Sequence, residues 1–309
     1  MATKRILVTG ASSFIGRQSV APLLGRGYEV HLALRSPSRR DFLPGGLFAR
    51  CHAHEVDLLD AAAVDRCVRS IQASHLLHFA WHSDVSNRLS SPANLKWAAA
   101  TLNLASSFID AGGGRLVVCG TCAEYDWQSG TLSEGGTQLS PATIYGAAKD
   151  SAHRLLRFAG SQLGISLAWG RVFSCYGPAE PAGRLVVDVV TGLLAGQVVS
   201  CTAGHQVRDY MYTPDIGRAF AMLVDSAFDG AVNVATGVGV AVRDVITSAA
   251  DLVGRPDLIR LGTKASREGD PDRLVADVTR LYEDLGYRPE FDLQSGLKQT
   301  IEWYRNAAR

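Results

Sequence analysis

Charge of one sign is what this chain has least of: 31 Lys and Arg stand against 30 Asp and Glu, for a net charge of +1. So even a balance leaves no electrostatic footprint for nucleic acid or for an anionic membrane surface. Long apolar runs are missing as well, and none reaches the roughly 18 residues that a bilayer-spanning helix needs. The chain enters a strand within its first residues, which leaves no room for a signal peptide, so a cytoplasmic location is the expectation. Cysteine is sparse, with six in 309 residues (Cys51, Cys67, Cys119, Cys122, Cys175, Cys201), too scattered for a secreted disulfide framework. Cys119-Gly-Thr-Cys122 forms one Cys-x-x-Cys pair, but neither a second pair nor a His cluster accompanies it. It reads as a strand end, and no metal site is expected. What remains is an ordinary globular balance, 47% hydrophobic and 20% charged, in a chain long enough for one large core or two coupled ones.

Apolar runs alternate with helical patterns from the start. Strands are predicted at Arg5–Thr9, Tyr28–Leu34, Ala53–Val56, His75–Phe79, Arg115–Cys119 and Ser166–Gly170. Helices are predicted at Phe14–Leu24, Ala61–Gln72, Ala93–Ala111 and Tyr145–Leu163. Strand and helix in alternation mean parallel strands joined by crossovers, and hence an α/β fold with a doubly wound parallel sheet. The strands are apolar almost throughout, as a sheet covered on both faces requires. After Arg171 the pattern loosens and Pro and Gly become frequent, with Gly177-Pro178, Pro181 and Gly183. A smaller mixed domain is expected from about residue 174. No internal repeat is visible.

Two motifs carry chemistry. Ile6-Leu7-Val8-Thr9-Gly10-Ala11-Ser12-Ser13-Phe14-Ile15-Gly16 is a strand that runs into a glycine-bearing loop. Tyr145-Gly-Ala-Ala-Lys149 puts a phenol and an ammonium on one helix face, about 6 Å apart at Cβ. A lysine beside a phenol favours the phenolate, so the tyrosine could exchange a proton nearer neutrality than its usual pKa of about 10. Hydride chemistry at a sugar or alcohol carbon requires such a group. Together, in this order, the motifs resemble the short-chain dehydrogenase/reductase superfamily, in its extended branch of NAD(P)-dependent epimerases and dehydratases that modify nucleotide sugars.

That resemblance implies a Rossmann-like dinucleotide-binding domain over 1–173, to which the chain returns around 208–236. A substrate-binding domain over 174–309 is interleaved with it. The cofactor would lie on Gly10, Ser12, Ser13, Phe14, Ile15 and Gly16, with Ser13 where the family has its middle glycine, and would also meet Ala80, Tyr145 and Lys149. The second strand ends in Leu34-Arg35-Ser36, with Arg39-Arg40 nearby, where NAD enzymes place an acid. A missing acid and a gained arginine favour NADP(H) over NAD(H), with Arg35 and Ser36 as the contacts. Asp57, beside Leu58, matches a position that contacts adenine, or else caps the following helix.

At the catalytic end, Thr121 matches the family's Ser or Thr four residues before the tyrosine at 125, and would steady the substrate oxygen alongside Tyr145. Related dehydratases follow that residue with Asp-Glu. This chain has Cys122-Ala123, and Glu124 is displaced by one, so dehydration is disfavoured. Ser174 stands where many epimerases carry an Asn before Gly-Pro. Arg208 and Arg267 match two arginines that would grip a nucleotide-sugar diphosphate. Trp81 and His82 are expected beside the nicotinamide and sugar. The reading is an NADPH-dependent reductase of a nucleotide-linked 4-keto-6-deoxy sugar. The alternatives are an epimerase with retained NAD and, of another class, a non-catalytic dinucleotide sensor. Two helices rich in Ala, Leu and Ser, Leu95–Ala111 and Ala147–Leu163, carry more apolar residues than one buried stripe needs (Leu102, Leu104, Phe108, Leu155, Leu156, Phe158), so a homodimer is expected.

Overall fold

The computed structural model describes residues 4–36, 42–266 and 269–307. The strands begin β1 (Arg5–Thr9), β2 (Glu29–Leu34), β3 (His52–Glu55), β4 (His75–His78), β5 (Arg115–Thr121), β6 (Thr131–Leu132) and β7 (Ser166–Val172). They continue β8 (Ser174–Tyr176), β9 (Val199–Ser200), β10 (Val207–Tyr212), β11 (Gly230–Val234), β12 (Gly239–Ala241), β13 (Ile259–Arg260) and β14 (Arg273–Ala276). The α-helices are α1 (Val20–Gly25), α2 (Ala61–Ile71), α3 (Ala93–Asp110), α4 (Ile144–Leu163), α5 (Leu185–Leu194), α6 (Thr213–Asp225), α7 (Val242–Val253) and α8 (Leu293–Ala307). None of the described helices is long and apolar enough to cross a membrane.

Seven strands form one sheet in the order β11-β7-β5-β4-β1-β2-β3, parallel at every junction. The crossovers carry α-helices, except from β2 to β3, where the described residues hold only a 3-10 turn at Leu47–Arg50. One face buries Ile6, Val8, Val30 and Leu32 against α1 and α6, and the other buries Leu7, Leu76, Leu116 and Val118 against α2, α3 and α4. This is the doubly wound, Rossmann-like fold expected from the sequence. The strand order reverses between β1 and β4, which opens a crevice at the carboxyl ends of the strands.

A second, mixed sheet runs β12-β10-β14-β6, with β8 on β10, and a short β13-β9 pair lies apart from it. Its neighbours α5, α7 and α8 share a separate apolar cluster built on Val190, Leu193, Ile246 and Leu297. β11 belongs to the larger sheet although it follows β10 of the smaller one, so the chain crosses between the two layers more than once.

Most boundaries shift by one or two residues, and two of the differences have a plain physical cause. The segment expected to be helical from Phe14 begins instead with a 3-10 turn at Gly16–Ser19, and Phe14 itself is buried in the core. The third strand starts at His52, which is exposed, because polar edge residues pair there as readily as apolar ones.

One buried charge network joins β5, β7 and β11. Glu124, fully buried, accepts from Arg171 Nε at 2.7 Å, from Trp169 Nε1 at 2.9 Å and from the Thr121 amide at 2.8 Å. Arg171 also donates to the Tyr125 hydroxyl at 3.0 Å, and that hydroxyl donates to Asn233 Oδ1 at 2.8 Å. Removing one member of a buried pair leaves its partner charged and unsolvated, at a cost of about 3–5 kcal/mol. Arg171→Met is expected to lose that much stability, read as a lower urea midpoint at unchanged slope. A loss below about 1 kcal/mol would show that the network does not hold these strands together.

Candidate active site

The site is assembled where β5 ends. Gly120 has no side chain because a Cβ there would lie 2.1 Å from Trp169 Nε1. Thr121 follows, and its hydroxyl accepts from the Ala123 amide at 3.2 Å while Glu124 reaches back to the Thr121 amide. This reciprocal cap fixes a one-turn 3-10 helix over Cys122–Glu124. α4 docks on that turn through Gly146, whose missing Cβ would fall 2.0 Å from the Ala123 carbonyl. Thr143 caps α4 by accepting from the Gly146 amide at 3.1 Å. Tyr145 is therefore held beside Thr121, whose hydroxyl is near enough to act on the phenol.

Lys149, one turn further along α4, is buried, as the i, i+4 spacing allows. Its ammonium donates to the Cys119 carbonyl at 2.7 Å and lies 3.9 Å from the centre of the Trp81 ring. The expectation that Lys149 pulls the phenol toward neutrality is not met by this arrangement. Burial dominates and pushes the Tyr145 phenol above its ordinary value, and the nearby Thr121 hydroxyl works against that rise. Burial also pushes Lys149 down, to about 8. The Cys119 and Cys122 thiols are pushed up to about 12 by the same cause, so both stay protonated at neutral pH.

An open cleft of about 780 Å³ lies over this turn. Of the residues predicted from sequence, Ile15, Thr121, Cys122, Tyr145, Ser174 and Arg208 line it. Arg208 pairs with Asp270 at 2.7 Å rather than with its neighbour Asp209, whose carboxylate is consumed by Thr236, Gly237 and Ala276. Arg184 also lines the cleft, tied to Glu180 at 2.7 Å and to the Cys175 carbonyl at 3.0 Å. Arg184 and Arg88 were missed in the sequence. Each lies in a segment without regular spacing, and only the fold brings them to the rim. Arg267 lies outside the described residues.

Trp81 and His82 do not line the cleft. Trp81 turns inward because its indole N–H donates at 2.8 Å to the fully buried Asn94, leaving the ring edge toward Tyr145. His82 bonds Asn87 within its own loop at 2.9 Å.

The glycine loop fits a dinucleotide backbone. Gly10 takes φ +70° and abuts Ala80, where a Cβ would meet the amide nitrogen at 2.6 Å. A Cβ on Gly16 would strike the Gly10 carbonyl at 2.2 Å. Ser13, in the middle-glycine position, accepts from the Gly16 amide at 3.0 Å, so its side chain is turned into the loop and not out of it. Arg17 clamps the Ser12 and Ser13 carbonyls and was also missed by sequence, although it directly follows Gly16. Ser12 is exposed, whereas Phe14 is in the core and can offer only its backbone. At the end of β2, Arg35 and Ser36 are exposed; Arg39 and Arg40 lie outside the described residues. Asp57 accepts from the Leu59 amide and does not cap α2, a task done by Asp60; Leu58 is core.

Residues 6–235 match the family model described as NAD dependent epimerase/dehydratase family. The UDP-glucose 4-epimerase of Rhizobium meliloti is 26% identical over 98% of each chain. Among solved structures, UDP-glucose 4-epimerase of Thermotoga maritima with UDP-glucose superposes with a TM-score of 0.89 at 26% identity, over 99% of this chain and 100% of that one. UDP-glucose 4-epimerase of Thermus thermophilus in complex with NAD gives 0.85 at 28% identity, over 98% and 99%.

The burial of Lys149 carries a stability cost with a defined pH window. The cost is complete below about pH 8, where Lys149 is charged in both states, and fades as pH rises toward 10.5, where the unfolded lysine also loses its proton. Lys149→Met is therefore expected to be more stable than the wild type at pH 7, by an amount on the order of 3 kcal/mol at most. The advantage should shrink between pH 8 and 10.5. Urea unfolding across that range checks the sign, and a variant less stable at pH 7 would contradict it.

Proposed function

Because the chain belongs to the NAD-dependent epimerase/dehydratase family, we propose that it is a nucleotide-sugar 4-epimerase working through a retained nicotinamide dinucleotide. A bound nicotinamide dinucleotide supplies a hydride acceptor and donor at hexose C4. Burial raises the Tyr145 phenol in the free chain, and beside the positive charge of an oxidised nicotinamide it would be drawn back toward phenolate. Tyr145 would then take and return the proton of the 4-hydroxyl while Thr121 steadies the oxygen. Arg184 and Arg208 hold the diphosphate by charge-assisted bonds, with Arg267 as a further candidate. The observation that carries this reading is that Tyr145 and the adjacent Thr121 line one cleft together with Arg184 and Arg208. The likeness to UDP-glucose 4-epimerases over nearly the full length supports it. On this reading 1–173, with 208–236, serves the dinucleotide and the remainder of 174–309 serves the sugar nucleotide.

Dehydration is disfavoured by Cys122 and Ala123. A thiol held at about 12 and a methyl group cannot act as the acid and base of elimination. A second reading, NADPH-dependent reduction of a 4-keto sugar, is favoured by one feature only, the Leu34-Arg35 end of β2. There an exposed guanidinium stands where a carboxylate would repel a 2′-phosphate. A cofactor sensor has no use for the Thr121, Tyr145 and Lys149 constellation.

The two enzymatic readings separate in one assay. Incubation with UDP-glucose or UDP-galactose and NAD, followed by NMR, is expected to give interconversion of the 4-epimers without net cofactor reduction. No interconversion, together with NADPH oxidation on adding a nucleotide-linked 4-keto sugar, would establish the reductase instead. Tyr145→Phe should bind cofactor normally and lose about 10²–10⁴-fold in turnover; wild-type rates in that variant would remove Tyr145 from the mechanism.

We also propose a homodimer through α3 and α4. Leu104, Phe108 and Leu156 are buried, which leaves Leu95, Leu155 and Phe158 exposed on these two helices. Light scattering should give twice the chain mass, and Phe158→Glu should shift it to one chain. A wild-type monomer with full activity would refute the assembly.

A further inference from the structure

At the opposite end of β2 from Arg35, four polar side chains gather on one face of the sheet edge. Glu29 and His31 alternate along β2, and His52 and His54 alternate along β3, with His31 opposite His52 and Ala33 opposite His54. Strand alternation places all four on the same side. The Glu29 carboxylate Oε1 lies 3.0 Å from His31 Nε2 and 3.9 Å from His52 Nε2. One ligand atom from each of these three residues falls within 4.8 Å of the others. The rings are layered, His31 stacking on His52 at 4.8 Å and on His54 at 5.1 Å, so they are held as a set.

We propose that Glu29, His31 and His52 form a site for a divalent transition-metal ion of the zinc type, with His54 as the residue that orients His31. Two imidazoles and one carboxylate are a borderline nitrogen and oxygen donor set, which suits zinc and its neighbours far better than magnesium or calcium. Zinc bonds of about 2.0–2.1 Å in a tetrahedron place ligand atoms about 3.3 Å apart. The 3.0 Å and 3.9 Å separations bracket that value, and His52, whose side chain is 60% exposed, is free to make the adjustment. A water would complete the tetrahedron.

The partners of the ligands agree with this role. His31 Nδ1 lies 2.9 Å from His54 Nε2. With His31 Nδ1 carrying the proton and donating it to His54, His31 Nε2 presents its lone pair to the ion, the arrangement usual for metal-bound histidine. Both rings change tautomer together, so no net proton moves. Arg5 reaches Glu29 through the other oxygen, Oε2, at 3.4 Å, and leaves Oε1 to the ion. The ion would bridge β2 to β3, which pairs with β2 alone at the sheet edge. It would thus clamp an edge that is otherwise held by one ladder. Sequence spacing hides the set, because the ligands come from two strands more than twenty residues apart.

The test uses tag-free full-length protein freed of metal with a chelator. Calorimetric titration with zinc chloride is expected to show one ion per chain, magnesium chloride none, and the melting temperature should rise with zinc. His52→Ala and Glu29→Gln should each weaken zinc binding at least tenfold, and His54→Ala by about 10–100-fold through the orientation of His31. His205→Asn, at an exposed histidine elsewhere, should leave it unchanged. Because His52 is largely exposed, its loss leaves the fold intact, which the melting temperature without metal will verify. No saturable binding by the wild type, or undiminished binding in His52→Ala and Glu29→Gln, overturns the proposal.

Discussion

The pairing of Glu124 with Arg171 is the constraint on which the site depends. Both side chains are essentially inaccessible to water, and such a pair is tolerated only when nearly every lone pair and proton is met. Here that condition is satisfied. Glu124 receives Arg171, Trp169 and the Thr121 amide, while Arg171 also reaches Tyr125 and the His153 ring. A carboxylate with three donors has no freedom left, so the turn after β5 takes one geometry. Glu124 lies one residue from where related dehydratases carry a catalytic glutamate, and its inward direction explains why the displacement matters. It serves the scaffold and cannot reach the cleft.

From this fixed turn the rest follows by contact. Gly120 lets Trp169 sit against β5, and Gly146 lets α4 close on the Ala123 carbonyl. A methyl group at either would push the two hydroxyls of Thr121 and Tyr145 apart, since the obstructing atoms belong to a buried indole or to the backbone. Lys149 is then carried under Trp81, and the indole is itself anchored by Asn94, whose amide is held by the Arg88 and Ser91 carbonyls. The ammonium thus has a carbonyl on one side and a ring face on the other, both favourable to its charge. They offset part of a desolvation cost that still brings its pKa down to about 8.

Much of the fold was legible because parallel strands buried on both faces must be apolar throughout, and Arg5–Thr9, Arg115–Thr121 and Ser166–Val172 are nearly so. That Tyr145 and Lys149 share one helix was legible from spacing, and that Thr121 stands at a strand end was legible through the family resemblance. Three things were not. The inward turn of Trp81 depends on Asn94, thirteen residues away, and no local pattern announces that bond. Arg184 enters the cleft only because Glu180 and the Cys175 carbonyl aim it there. The effect of Lys149 on the phenol was misjudged because helix spacing gives the separation of Cβ atoms but not the direction of a flexible side chain, nor the weight of burial. The edge histidines escaped notice for a related reason: cross-strand register is a tertiary fact, invisible at a separation of more than twenty residues.

The choice between epimerase and reductase turns on what happens after a proton and a hydride have moved, because the proposed roles of Tyr145 and Thr121 would serve both directions alike. On the epimerase reading, the 4-keto sugar must stay tethered while it presents its other face, which requires a grip distant from C4 and room around the ring. Arg184 and Arg208 line the same cleft as Tyr145 and would grip the diphosphate, leaving the hexose as the part free to turn. On the reductase reading, the grip must instead release the product, and the cofactor must exchange at every turnover. That shifts the selective burden to the open end of β2, where Arg35 is exposed and Leu34 stands in the place of the acid. The two ends of the crevice therefore make opposite demands. In the epimerase the arginines of the substrate end decide the outcome, and Arg35 is then a bystander at the rim.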